Sequence, residues 1–73
     1  MVIGKELATK IGIYCIENTI NNKKYIGSSK NVFKRKNRHF GDLRNNIHPN
    51  KKLQASYNKY GVENFKFYVL EFL

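Results

Sequence analysis

The chain has one cysteine, one proline and no tryptophan in 73 residues. A single Cys15 excludes an internal disulfide, and with only His39 and His48 beside it a Cys/His zinc site lacks ligands. Acid is scarce as well: Asp and Glu number five against fourteen Lys and Arg. No apolar run approaches the roughly 20 residues that span a bilayer. Residues 1–10 (MVIGKELATK) carry neither an apolar signal core nor an Arg-rich transit pattern. These absences point to a soluble domain of a reducing compartment with no membrane partner. Repeats and low-complexity tracts are lacking too. The length allows one domain only, and a domain this small buries roughly 60% of the surface its unfolded chain exposes.

What is present is positive charge. The net charge is +9, and between Lys23 and Lys59 stand eleven basic residues with one acid, Asp42. Self-repulsion within such a block costs stability, which points to an anionic partner. Aromatic residues, 14% of the chain, are interleaved with the cations, and that combination favours nucleic acid. The plainer alternative is a solvated surface that meets no anion.

Ile11–Glu17 (IGIYCIE) is a short β-branched and aromatic run, the pattern of a strand. Asn18–Lys23 follows as a turn, because Asn21 and Asn22 tolerate a left-handed backbone. Strand character resumes over Lys24–Gly27, so the segment predicts a β-hairpin. Ser28 and Ser29 offer hydroxyls to cap a helix from Asn31 to about Asn45, with Val32, Phe33, Phe40, Leu43 and Ile47 as its apolar stripe. Asn45–Pro49 breaks it. Asn50 then caps a second helix, KKLQASYNKY, whose Leu53, Tyr57 and Tyr60 share a face and which Gly61 stops. The tail Phe65–Leu73 reads as a strand covered on both sides. Two short helices cover only one face of a three-stranded sheet, so the pattern implies a further element after residue 73, or self-association through the last strand.

Two tripeptides stand on the hairpin arms, Gly12-Ile13-Tyr14 and Tyr25-Ile26-Gly27. Alternation puts Tyr14 on one face with Gly12 and Ile16, and Tyr25 on one face with Gly27. Glycines beside the tyrosines leave room for a phosphate or another main chain. A simple cross-strand aromatic pair, worth roughly 0.2–1 kcal/mol, explains the tyrosines equally well. Arg35, His39 and Asp42 follow at helical spacing and project from one side. Arg35 can grip a phosphate with two parallel hydrogen bonds. The alternative is an Arg38–Asp42 surface pair beside a structural His39. Spacing alone leaves both readings open.

The ordered set of GIY, YIG, Arg35 and His39 resembles the signature of the GIY-YIG nuclease domain. The likeness runs from Gly12 to about Leu73, through NTINNKKYIGSSKNVFKRKNRHFGDL and KLQASYNKYG, and is nearest to the catalytic domains of phage and organellar intron homing endonucleases. It implies an α+β domain over residues 11–73, after a lead-in of residues 1–10, with a three-stranded antiparallel sheet flanked by helices. The implied activity is metal-dependent hydrolysis of double-stranded DNA, with magnesium or another divalent ion. Tyr14 would be the general base or would position the attacking water, Tyr25 would orient that water or the phosphate, Arg35 would stabilise the pentacovalent phosphate, and His39 would assist. His48 and Tyr60 match positions nearer the DNA, and Lys34, Lys36 and Arg38 would also meet its backbone.

One family feature is not matched. The metal of the family is held by a glutamate on a helix after the third strand, and none of Glu6, Glu17, Asp42, Glu63 or Glu71 takes that place. The expectation is therefore a nuclease domain incomplete at its C-terminus, weak or inactive by itself, with the metal glutamate and a DNA-targeting domain expected downstream. A phenol titrates near pH 10, so such a base needs cations or a metal beside it. A basic DNA-binding module without catalysis is the runner-up. An RNA-binding protein ranks last, since Phe65, Phe67 and Phe72 read as core rather than as stacking platforms.

Overall fold

The computed structural model describes residues 10–73, so the lead-in lies almost wholly outside the described residues. The chain forms β1 (Gly12–Asn18), β2 (Lys24–Ser29), α1 (Val32–Arg44), α2 (Lys51–Tyr60), a 3-10 turn (Val62–Asn64) and β3 (Phe65–Phe72). All pairings are antiparallel and the order is β2-β1-β3, so the first strand is central. This is the expected α+β architecture.

The hairpin turns where the asparagines stand. Asn22 adopts φ 62°, and the Asn18 side chain accepts from the Ile20 amide at 2.9 Å. Register then decides the faces. Tyr14 pairs with Gly27 and with Val69, and Ile16 pairs with Tyr25 and with Phe67. These six residues share the side of the sheet that the helices cover. Ile16, Val32, Leu43 and Leu53 are fully buried there. Burying each such side chain is worth roughly 1.5–3 kcal/mol, and Leu53→Ala would cost roughly 2–5 kcal/mol. Cys15 is fully buried, as a small hydrophobe would be.

Three local expectations are corrected. Ser28 and Ser29 remain in β2, paired with Ile13 and Gly12, and Asn31 caps α1 by accepting from the Lys34 amide. Ser29 only turns the chain toward it, its hydroxyl accepting from the Asn31 amide at 3.0 Å. Phe33 and Ile47 stand half or more exposed, so the α1 stripe is narrower than its spacing suggests. β3, an edge strand, is not covered on both sides: Leu70, Phe72 and Leu73 are exposed. A bulge lets β3 pass from Val69 opposite Tyr14 to Glu71 opposite Ile13, which presses the Glu71 carbonyl against Gly12. The second helix has the expected bounds, with Asn50 accepting from the Leu53 amide. Gly61 ends it at φ 86° and ψ 157°, a positive φ but not the compact left-handed turn.

Candidate active site

The helices converge on the sheet at Tyr14. Its hydroxyl lies 2.7 Å from His39 Nε2, and His39 Nδ1 lies 2.7 Å from His48 Nε2. The Asn50 amide donates to His48 Nδ1 at 3.0 Å, and the His48 amide donates to Gln54 Oε1 at 3.0 Å. One strand, one helix, a loop and a helix N-terminus therefore contribute to a single line of hydrogen bonds.

That line has a direction. A backbone amide can only donate, so His48 Nδ1 accepts and the neutral ring carries its proton on Nε2. Nε2 then donates to His39 Nδ1, which leaves the His39 proton on Nε2, facing the Tyr14 oxygen. Tyr14 accepts from His39, and its own hydroxyl proton is free for another partner. Burial pushes His39 below its ordinary value of 6.5; the adjacent His48 and Arg35 add to this while Asp42 opposes it. Burial lowers His48 as well, again against Asp42. Neutral rings are what the hydrogen-bond line requires.

Packing fixes the rings in place. Tyr14 stacks on Phe67 with centroids 5.2 Å apart, and His39 stacks on His48 at 5.0 Å. A cavity of about 500 Å³ is lined by Tyr14, Tyr25, His39 and His48, with Asn50 and Leu53. A second, of about 610 Å³, shares His39 and His48 and adds Arg35, Arg38 and Asp42. Arg35 and Arg38 also border a cleft of about 910 Å³ with Lys30 and Lys34. Tyr14, Tyr25 and His39 thus line one cavity, and Arg35 lines the adjoining one that His39 shares.

The remaining candidates divide. Lys34 and Arg38 face the cationic cleft. Lys36 lies on another side of α1, its ammonium 5.8 Å from the Phe67 ring centroid, in a cavity with Arg44 and Phe40. Tyr60 packs half-buried against the core and lines none of the three cavities around Tyr14, His39 and Arg35. His48, expected toward the DNA, is buried behind His39. Asn50, expected only as a helix cap, also donates its amide to His48, and Gln54 is a functional neighbour that the sequence marks only as a polar residue between Leu53 and Tyr57. Among the described residues no three of His, Cys, Asp and Glu gather as metal ligands, so the described residues do not complete a metal site. Nor is any described helix long and apolar enough to cross a membrane.

A phenol and two imidazoles in line, next to a cavity that Arg35 and Arg38 border, make up the candidate site on a three-stranded antiparallel sheet. The chain belongs to the GIY-YIG family: the GIY-YIG catalytic domain matches residues 10–73. It is 56% identical over 52 residues to intron-associated endonuclease 1 of Enterobacteria phage T4, covering 71% of this chain and 21% of that protein. It is 41% identical over 66 residues to probable intron-encoded endonuclease 1 of Neurospora crassa, covering 90% of this chain and 20% of that one. The chain spans about a fifth of the length of these curated relatives. Two solved structures of the catalytic domain of the homing endonuclease I-TevI have the same fold. One superposes with TM-score 0.83 at 48% identity, covering 88% of this chain and 68% of that one. The other, a mutant of that domain, gives 0.81 at 50% identity, covering 88% and 65%.

Proposed function

We propose that this chain is the DNA-cleaving module of an intron-type homing endonuclease, and that Tyr14 is its general base. The observation that carries the reading is the directed line from the Asn50 amide through His48 and His39 to the Tyr14 hydroxyl, beside Arg35. Tyr14 first releases its own proton outward. The negative oxygen is then held by the His39 N–H and by the field of Arg35, which borders the cavity that His39 lines. A water gives its proton to that oxygen as it bonds to phosphorus. Arg35 holds the non-bridging oxygens through two parallel donors, and Tyr25 orients the water or the phosphate. The bond to the leaving sugar oxygen breaks, and that oxygen takes a proton from solvent.

The family likeness implies one divalent ion, magnesium being the candidate, which would clamp the phosphate and neutralise charge. Because the described residues supply no complete ligand set, slow cleavage is the expectation for these 73 residues. Duplex DNA follows the cationic cleft formed by Lys30, Lys34, Arg35 and Arg38. Sequence selection would belong to a DNA-targeting domain elsewhere in the whole protein.

The test is nicking of supercoiled plasmid with magnesium and excess protein. Slow nicking by the chain, lost in Tyr14→Phe and Arg35→Ala, is the expected result. The second reading, a basic DNA-binding module without catalysis, draws on the lack of a metal-ligand cluster among the described residues. DNA retention with no nicking above the level of Arg35→Ala would establish it instead.

A further inference from the structure

Gln54 is a polar residue on α2, yet it is only 6% exposed. A buried amide is costly unless each of its groups finds a partner, and here all of them do. Oε1 accepts from the His48 amide at 3.0 Å. Nε2 donates to the Leu43 carbonyl at the end of α1, at 3.0 Å, and to Asn58 Oδ1 at 2.9 Å. Asn58 in turn donates to Asn46 Oδ1 at 3.0 Å, and Asn46 holds φ 60° in the loop that leads to His48. One buried side chain thus joins the last turn of α1, the Asn45–Pro49 loop and the face of α2.

A loop tie alone would be structural. What sets this one apart is its point of attachment, the backbone N–H of the residue that orients His39. His48 is held from two sides: Gln54 fixes its main chain and the Asn50 amide fixes its ring. Both holds come from the first turn of α2, so ring and main chain are referred to one rigid body. Loosening Gln54 lets the His48 main chain shift, which carries the ring away from the Asn50 amide and from His39 Nδ1.

We propose that Gln54 is a positioning residue: it holds His48, and through it the tautomer of His39, so that His39 presents an N–H to Tyr14. Its catalytic consequence rests on the nuclease reading above, whereas the ring geometry does not.

The experiment uses the chain with ¹⁵N-labelled histidine and reads the tautomers of His39 and His48 by NMR, alongside plasmid nicking. In the unaltered chain both rings should carry their proton on Nε2. Gln54→Met fills a similar volume but leaves the His48 amide and the Leu43 carbonyl without their partner. Its His48 signals should move toward the mixed tautomers of free histidine, those of His39 should follow, and nicking should fall on the order of a hundred-fold. A folded Gln54→Met with both rings unchanged overturns the proposal. If that variant does not fold, Asn58→Ala decides, since Asn58 is exposed and its loss frees one arm of Gln54. A partial shift in the same direction is expected, and none overturns the proposal. Failure of the unaltered chain to nick DNA would count against the nuclease reading and leave the ring tautomers as the judge of this one.

Discussion

The ring of Tyr14 lies flat across Gly27 on the neighbouring strand. A Cβ at Gly27 would stand 2.5 Å from the Tyr14 hydroxyl oxygen and 2.6 Å from the ring carbon that bears it. The two tripeptides of the hairpin are therefore one device: the glycine of the second is the seat for the tyrosine of the first. The space beside this tyrosine holds its own ring, while at Gly12 the close neighbour is the main chain of β3.

Gly27→Ala should displace Tyr14 from His39 without emptying the core. The added methyl overpacks the site, at a cost of roughly 1–3 kcal/mol in stability. Nicking should fall further than stability does, on the order of a hundred-fold, because the reacting oxygen moves away from its donor. Single-turnover nicking and thermal melting on one preparation check this. Full activity in the folded variant would mean that Tyr14 need not sit where it does.

The two histidines set a pH dependence of definite sign. Both fold with values below 6.5, so well above pH 6.5 the rings are neutral in folded and unfolded chains alike and cost nothing. As pH falls below 6.5 the unfolded chain takes up protons that the folded chain refuses, and stability declines until the folded values are passed. Nicking should decline over the same range, since a proton on either Nδ1 breaks the line. The groups facing the rings are Arg35, Arg38 and Asp42 from α1 and Tyr14 and Tyr25 from the sheet. Melting temperatures from pH 8 to pH 5 should show the decline, and His48→Gln should flatten it. An equal slope in both proteins would remove these rings as its source.

Binding to duplex DNA should weaken steeply with salt. If about five of the cations between Lys23 and Lys59 meet phosphates, log K against log salt should slope at about −4 to −5. Lys34→Ala and Arg38→Ala should each lower the steepness by about 1, because both side chains border the same cleft as Arg35. Lys36→Ala should change it less, its ammonium being set over Phe67. Fluorescence anisotropy over a salt series measures all four proteins, and a slope near zero would detach the charge from DNA.

Features written in neighbouring residues were legible before any coordinates. Asn50 and Gly61 bound a ten-residue helix, and Asn22 marks its turn, because a cap or a positive φ depends on the residue itself. The shared location of Tyr14, Arg35 and His39 could be read only through the family pattern, since strand and helix periods say which face a residue takes, not which faces meet. Gln54 escaped because its partners stand four, six and eleven residues away and meet only after the loop has packed. The burial of His48 has the same origin. In β3 the composition suggests a strand covered on both sides, but the exposure of Leu70, Phe72 and Leu73 follows from what packs against the strand, which no local run of residues encodes.

The direction of the hydrogen-bond line can be tested at the backbone. Asn50 does two things: its side chain caps α2 at the Leu53 amide, and its own amide donates to His48 Nδ1. Asn50→Ala removes the first and keeps the second, so it should cost about 1 kcal/mol of stability and leave nicking nearly intact. Asn50→Pro removes both, and φ of −84° at this position suits a proline ring. With no N–H opposite it, His48 Nδ1 is free to take a proton, and the line from His48 to Tyr14 can reverse. Nicking should therefore fall at least about tenfold below that of Asn50→Ala at matched stability, as loss of a group that orients a functional histidine does elsewhere. Equal nicking by the two variants would show that the amide sets no direction, and Tyr14 would then have to draw its polarity from the arginines alone.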